Sequence, residues 1–553
     1  MKLPALSLAI ALALPVGLAA QASEPPALGA ATNFGQSWQP DMLSASKQVP
    51  VTDFRDAVYW RDIERTPGAY DFDGPRRNWP DHLPALGAGM SLTVNNGHPA
   101  YDGGHTPLSP EAVAAFAKFA ATTVTRFPAI HSVEVGNEMN SDTFVSGPGW
   151  DTNLQNRAQS YTALLAETAR AVRTARPEIR ILGGAAHSVP LAWFEALFAA
   201  GAAPHMDALV IHPYGVAPEH LGALIGQLRT LPEAVDMPIQ VTEFGHEDAA
   251  QAPDYLLKSY CLMALSGVER VIWYPLNPRG DGLEPLVDAQ SNITPVGRTY
   301  MLLSDLRGAG SIAPIAPDPF TYGCTFGDAA AVLWGAPRQV TLRDGVRALD
   351  ALGDPLSADL RLSREAPIVL LADTDIQTAF TLAPQTVLAD SVDQFAFDGT
   401  GDPFERLVVS RQGAAKLEPR PGQQKNGVPW VPYMASSWDG VLRAGADWVL
   451  PSAPSNGPLS VSYRYRAPAR QEADLMVHIA PSNRSEDGVD LIIRLGGEVL
   501  RAGRITDATT VGPIPLRLRR RDLLEVLVGP GETARGDVTQ LRVTLHQPGT
   551  SQE

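Results

Sequence analysis

The chain predicts an α/β fold, a (β/α)8 TIM barrel, followed by two units built from strands. Three observations carry that expectation. Eight short apolar runs alternate with helical stretches between about residues 30 and 308. Polar residues gather at the carboxyl ends of many of these runs, where a barrel assembles one ring. Beyond the helical stretch Thr294–Leu306, strand-like runs continue but helices almost vanish.

The eight runs lie at 31–35, 54–60, 90–96, 132–138, 179–184, 208–214, 238–244 and 270–275. Two of the intervening helices announce their ends. Ser109-Pro110-Glu111 supplies an N-cap, a proline at the first helical position and an acidic first turn. Asn153–Arg176 is amphipathic and stops at Pro177. A doubly wound sheet is the competing α/β fold, but no G-x-G-x-x-G follows the first run.

Residues 23–308 are therefore expected to form the barrel and 309–378 a small β-domain broken by Gly, Pro and Asp. Residues 379–553 are expected to form a β-sandwich of jelly-roll type, since alternating runs separated by turn signals recur there. Trp430, Trp438 and Trp448 cluster in a loop-rich part of that sandwich. They suit either a carbohydrate-binding face or a core.

At the N-terminus, Lys2, the apolar stretch Leu3–Ala20 and the small-x-small Ala20-Gln21-Ala22 read as a signal peptide over 1–22. The expectation is export to the periplasm or the outside of a bacterial cell. No later stretch is apolar and long enough to span a bilayer. With 44 Lys and Arg against 60 Asp and Glu, the net charge of −16 argues against nucleic acid and anionic membranes as partners. Cys261 and Cys324 are the two cysteines. The apolar helical pattern around Cys261 favours a buried thiol, and stability is expected from cores.

The chemistry lies in two acids. Glu138 ends the fourth run and Glu243 the seventh, so a small barrel sets them across one mouth. Glycosidic cleavage needs such a pair, one carboxyl donating to the leaving oxygen and one ionised to attack carbon or activate water. Asn137 is placed to hold a sugar hydroxyl, and Asn95, Asn96 and His98 to line the cleft. His212 reads as a subsite or hydrogen-bonding residue. Glu134, four residues deeper than Glu138, reads as half of a buried ion pair. Neither H-x-H on the first strand nor H-E-x-x-H occurs, so neither a catalytic metal nor a cofactor is expected.

The motifs G-N-E (136–138) and T-E-F-G (242–245) resemble clan A of the glycoside hydrolases. The run V-Y-W-R-D-I-E-R-T-P-G-A-Y-D-F (58–72) and H-P-Y (212–214) are similar to family 39 and its exopolysaccharide-cleaving bacterial relatives. The resemblance implies a retaining enzyme with Glu138 as acid/base, Glu243 as nucleophile, and carboxyls about 5–5.5 Å apart. It further implies that Arg55 and Tyr214 hold the nucleophile and that Trp273 floors the sugar site, with a poly- or oligosaccharide as substrate. Met139 departs from the pattern, because family members usually carry proline after the acid. The rival expectation is a catalytically inactive barrel that binds or scaffolds a polysaccharide during export.

Overall fold

The computed structural model describes residues 23–95, 97–357, 359–423 and 428–550. Segment 1–22, expected from the sequence to be a signal peptide, and Asn96 lie outside the described residues. Eight parallel strands close into a barrel: β1 (Ala27–Ala31), β2 (Asp53–Asp56), β3 (Gly89–Val94), β4 (Ile130–Val135), β5 (Arg180–His187), β6 (Ala208–His212), β7 (Ile239–Phe244) and β8 (Val268–Trp273). Ala27 to Ala30 of β1 pair with Arg270 to Trp273 of β8, which closes the ring. The Ser109 cap forms as the sequence indicates, and Asn153 and Thr294 cap their helices in the same way, each accepting a backbone N–H three residues on.

The first strand lies four residues earlier than expected, at Ala27–Ala31. Its small residues suit a tight barrel wall, since a Cβ on Gly29 would sit 2.4 Å from the Asp53 carbonyl oxygen. The bulkier T-N-F-G segment instead forms a loop. There the Asp56 carboxylate accepts from the Thr32 hydroxyl at 2.7 Å and from the Phe34 N–H at 2.6 Å. β5 ends three residues later than expected. A bulge between Gly183 and Ala186 shifts its register against β6 and carries the strand out to His187.

A five-stranded and a three-stranded antiparallel sheet follow the barrel. The strand Phe380–Leu382 pairs with Gln339–Leu342, so this small unit extends past the expected boundary at 378. The C-terminal part consists of an eight-stranded sheet and a six-stranded sheet. Arg364 of the small unit and Arg542 of the sandwich both pair with Asp390 and Asp393, so the two units share a buried charge cluster.

The expected free thiol at Cys261 is a correction. Cys261 and Cys324 form a disulfide with Cα atoms 5.7 Å apart, tying the helix Ala252–Leu265 to the strand Thr321–Phe326. The helical pattern around Cys261 could not show that a strand 63 residues later packs on the same face. Closing a loop of that length removes unfolded-state entropy equivalent to about 4 kcal/mol. Among the described residues, no helix is long and apolar enough to cross a membrane.

Candidate active site

The carboxyl ends of β4 and β7 hold the two acids, and the backbone prepares the first of them. Gly136 and Glu138 both adopt left-handed conformations, with φ of 90° and 46°. A Cβ on Gly136 would lie 2.4 Å from the Met139 side chain, so glycine is required there. Glutamate in this region is strained, and such strain persists only where the surroundings over-determine it. Met139 supplies part of that restraint. It is 1% exposed, and its backbone N–H donates to the Ala185 carbonyl at 2.9 Å. Proline at 139 would have no hydrogen to give to this bond.

Glu138 and Glu243 are nearly buried, each less than a tenth exposed. Glu138 Oε1 lies 3.0 Å from His187 Nδ1 and 3.2 Å from His212 Nδ1. Glu243 Oε2 accepts from the Tyr214 hydroxyl at 2.9 Å, and its Oε1 accepts from Arg55 Nη1. Arg55 also grips Glu134 with two hydrogen bonds of 2.7 Å, through Nε and Nη2. Its Nη2 donates to Asn137 Oδ1 at 2.7 Å as well. One guanidinium thus ties β2 to β4 and β7, an arrangement that suits the planar fork of arginine and not lysine.

His212 sits fully buried at the centre of this group. Its Nε2 is 2.9 Å from Thr242 Oγ1 and 3.7 Å from Glu134 Oε1, while its Nδ1 is 3.8 Å from Glu243 Oε2. Burial opposes a charge on the ring. Glu243, Glu134 and Glu138 outweigh it, with Arg55 opposing them, and raise the imidazole to about 9. Burial likewise pushes Glu138 up, but hydrogen bonds from His187 and His212 prevail and lower it to about 2. Glu134 is also lowered to about 2, because Arg55 and His212 overcome its burial. Tyr214, buried beside Glu243, is held well above 10 and stays a hydroxyl donor.

These shifts fix a pH signature. His212 is raised from 6.5 to about 9, so its contribution to stability is complete below pH 6.5 and lost as pH rises through 9. Glu134 and Glu138 are lowered from 4.5 to about 2, so theirs is complete above pH 4.5 and lost as pH falls toward 2. Thermal unfolding followed by circular dichroism should show the alkaline decline in the wild type and a flatter alkaline limb in His212→Asn. An unchanged alkaline limb in that variant would remove the charge from His212.

Glu138, His212 and Glu243 bring potential ligand atoms within 4.8 Å of one another, near enough for one cation to bridge. The donor set fits a metal poorly, since Arg55 already occupies Glu243 and Nδ1 of His212 faces Glu138.

The other sequence-based site residues separate into two groups. Arg55, Asn137, His212 and Tyr214 converge on the two acids, and Asn95 sits half-buried at the exit of β3. His98 does not line a cleft. It is 4% exposed, its Nε2 contacts the Glu64 carbonyl, and its ring packs 5.0 Å from Trp60. Trp273 offers no open face either. It is fully buried, edge-on to Phe244 at 5.0 Å, and donates through Nε1 to the Glu284 carbonyl at 3.0 Å. His187 and Thr242 also touch this group, and the sequence assigned neither a role in the site. His187 stood among the polar strand-end residues, but only the bulged β5 brings it to Glu138.

Comparison with known proteins places this geometry. Residues 137–300 match the family model described as glycosyl hydrolase catalytic core. That segment begins beside the first acid and includes the second, so the match falls on the part of the barrel that holds both. Solved structures of family 39 glycoside hydrolases are among those that share its fold. A family 39 glycoside hydrolase from the gut symbiont Bacteroides cellulosilyticus WH2 aligns with a TM-score of 0.53 and 16% identity, covering 63% of this chain and 81% of that one. A GH39 β-xylosidase from Caulobacter crescentus gives 0.44 and 17% over 64% and 98% of the two chains. The GH39 enzyme from Xanthomonas axonopodis pv. citri gives 0.43 and 13% over 93% and 96%. No curated protein matches the chain.

Proposed function

We propose that the protein is an exported, retaining glycoside hydrolase that cleaves a poly- or oligosaccharide by double displacement. The observation that carries this reading is the closeness of the acids: oxygens of Glu138 and Glu243 lie within 4.8 Å of each other. Retaining enzymes hold their carboxyls about 5–5.5 Å apart, whereas inverting enzymes leave about 6.5–9.5 Å for a water.

In this reading Glu243, oriented by Arg55 and Tyr214, attacks the anomeric carbon. The glycosidic C–O bond breaks, and Glu138 protonates the leaving oxygen. Glu138 is ionised in the free site, so it needs a proton source, and His212 provides one. The imidazolium Nδ1 lies 3.2 Å from Glu138 Oε1, and expulsion of water by a bound sugar favours the neutral acid–imidazole pair over the charged one. Water then attacks the glycosyl ester while Glu138 takes its proton, and Glu243 departs as a carboxylate. Asn137, whose Oδ1 already accepts from Arg55, has amide N–H groups to donate to a sugar hydroxyl beside the reacting carbon. Export is supported by the signal-like residues 1–22 and by the disulfide, which suits an oxidising compartment.

The test is the anomeric configuration of the first product, read by proton NMR before mutarotation on a hydrolysed aryl glycoside. Retention is expected. Inversion would exclude double displacement.

A further inference from the structure

Beside the catalytic pair lies a cavity of about 340 Å³ whose walls come from two parts of the chain. The barrel contributes His187 and Tyr214, the residues that touch Glu138 and Glu243. The sandwich contributes Phe397, Trp430 and Trp448. Trp430 stands edge-on to the His187 ring, with centroids 4.8 Å apart and planes at 76°. The imidazole that touches the acid/base therefore leads directly to a tryptophan of the C-terminal unit.

Nearby residues of the C-terminal unit, Pro421 and Gln423, are fastened to the barrel at the exits of β4 and β5. Asn140 Nδ2 donates to Gln423 Oε1 at 3.2 Å, and Gln423 Nε2 donates back to the Asn140 carbonyl at 3.0 Å. The Ala192 N–H donates to the Pro421 carbonyl at 3.3 Å. Asn140 Oδ1 in turn accepts the His187 N–H at 2.8 Å. Residues two positions after Glu138 thus hold the sandwich loop and the acid's histidine together. Trp448 is seated against Gly445, where a Cβ would lie 2.1 Å from its Nε1. Trp430 and Trp448 are each partly exposed, so ring surface remains for a ligand, unlike the buried Trp273.

We propose that the C-terminal sandwich completes the catalytic cleft, with Trp430 and Trp448 forming a stacking subsite for the leaving-group sugars of an oligosaccharide. This rests on the glycosidase reading above. Glu138 protonates the departing oxygen, so the departing chain lies on the Glu138 side, where His187 and Trp430 stand. Pyranose rings present apolar C–H faces that suit flat aromatic surfaces, and the cavity has the size and mixed lining of a small-molecule site. The sandwich then acts as a specificity element for chain length. It needs no separate binding function.

The test compares p-nitrophenyl β-glycosides of xylose, glucose, mannose and galactose with the corresponding β-linked tetrasaccharides, using the full-length protein. Trp430→Ala should lower kcat/KM less on the aryl glycoside, whose leaving group fills only the first position, than on the tetrasaccharide. On the tetrasaccharide it should lower kcat/KM roughly tenfold, mainly through KM, and Trp430→Tyr should recover most of the loss. Trp438→Ala, at a surface tryptophan 46% exposed, serves as the control and should change neither. Equal kinetics of Trp430→Ala and wild type on both substrates would overturn the subsite while leaving the catalytic reading intact. So would an equal loss on both accompanied by a fall in Tm, which marks a structural role. Full activity in Glu243→Ala, or wild-type protein that turns over none of the panel, would overturn the glycosidase reading and the subsite with it.

Discussion

Glu243→Ala is expected to lower kcat by at least about 10⁴-fold on any substrate the protein hydrolyses, with its far-ultraviolet circular dichroism unchanged. The size follows from what is removed. Without the carboxylate no covalent intermediate forms, and the remaining groups can only bind and polarise. Arg55 keeps its bidentate partner Glu134, so the barrel loses little of its internal support. His212 loses one of the charges that hold its proton. Azide, small enough to occupy the vacated space, should restore turnover and yield a glycosyl azide of inverted configuration. Glu138→Ala should behave differently, being least harmful with dinitrophenyl leaving groups, which need no protonation. If Glu243→Ala retains activity within tenfold, the nucleophile lies elsewhere.

Arg55→Met carries the second large effect, and it falls on stability as well as rate. The guanidinium is almost buried and faces Glu134 and Glu243 together. Burial alone would discourage its charge, yet the two carboxylates raise it further above its ordinary value. Methionine of similar length leaves Glu134, fully buried, without its counter-charge. Breaking one side of such a pair costs about 3–5 kcal/mol. The expected readout is an apparent Tm lower by roughly 5–15 °C, with kcat/KM down at least about a hundredfold. Arg55→Met with Glu134→Gln should recover much of the stability, because the fully buried Glu134 charge is gone, but little of the activity, because Glu243 is still unheld. Activity that returns with stability would reduce Arg55 to a structural residue.

The fold class was legible because a barrel imposes one pattern on the chain, apolar runs at the spacing of strand plus helix. The catalytic pair was legible for a related reason. A carboxylate at the end of an apolar strand is costly unless it is used or paired, and Glu138 and Glu243 recur at two such ends. Glu134 follows the same logic with the paired outcome.

What escaped the sequence is what depends on contacts between distant segments. Strand β1 is made of small residues whose value is close packing, so propensity pointed to the bulkier residues after it. The bulge that brings His187 to Glu138 follows from left-handed backbone at Gly184 and Ala185, and alternation of polar and apolar residues does not reveal it. Trp273 and His98 stood at strand ends as expected of cleft residues, yet both are consumed in packing. Trp430 looked equally fit for a core or a sugar. Only its edge-on contact with His187, far away in the sequence, places it beside the active site.

The central claim is that Glu243 and Glu138 divide the labour of a double displacement. It is tested most directly by peptide mapping after inactivation with 2-deoxy-2-fluoro glycosyl fluorides of the sugars the protein cleaves. One glycosyl residue esterified to Glu243, in the peptide containing T-E-F-G, is the expected result. Label on Glu138 or on any other residue would contradict the assignment.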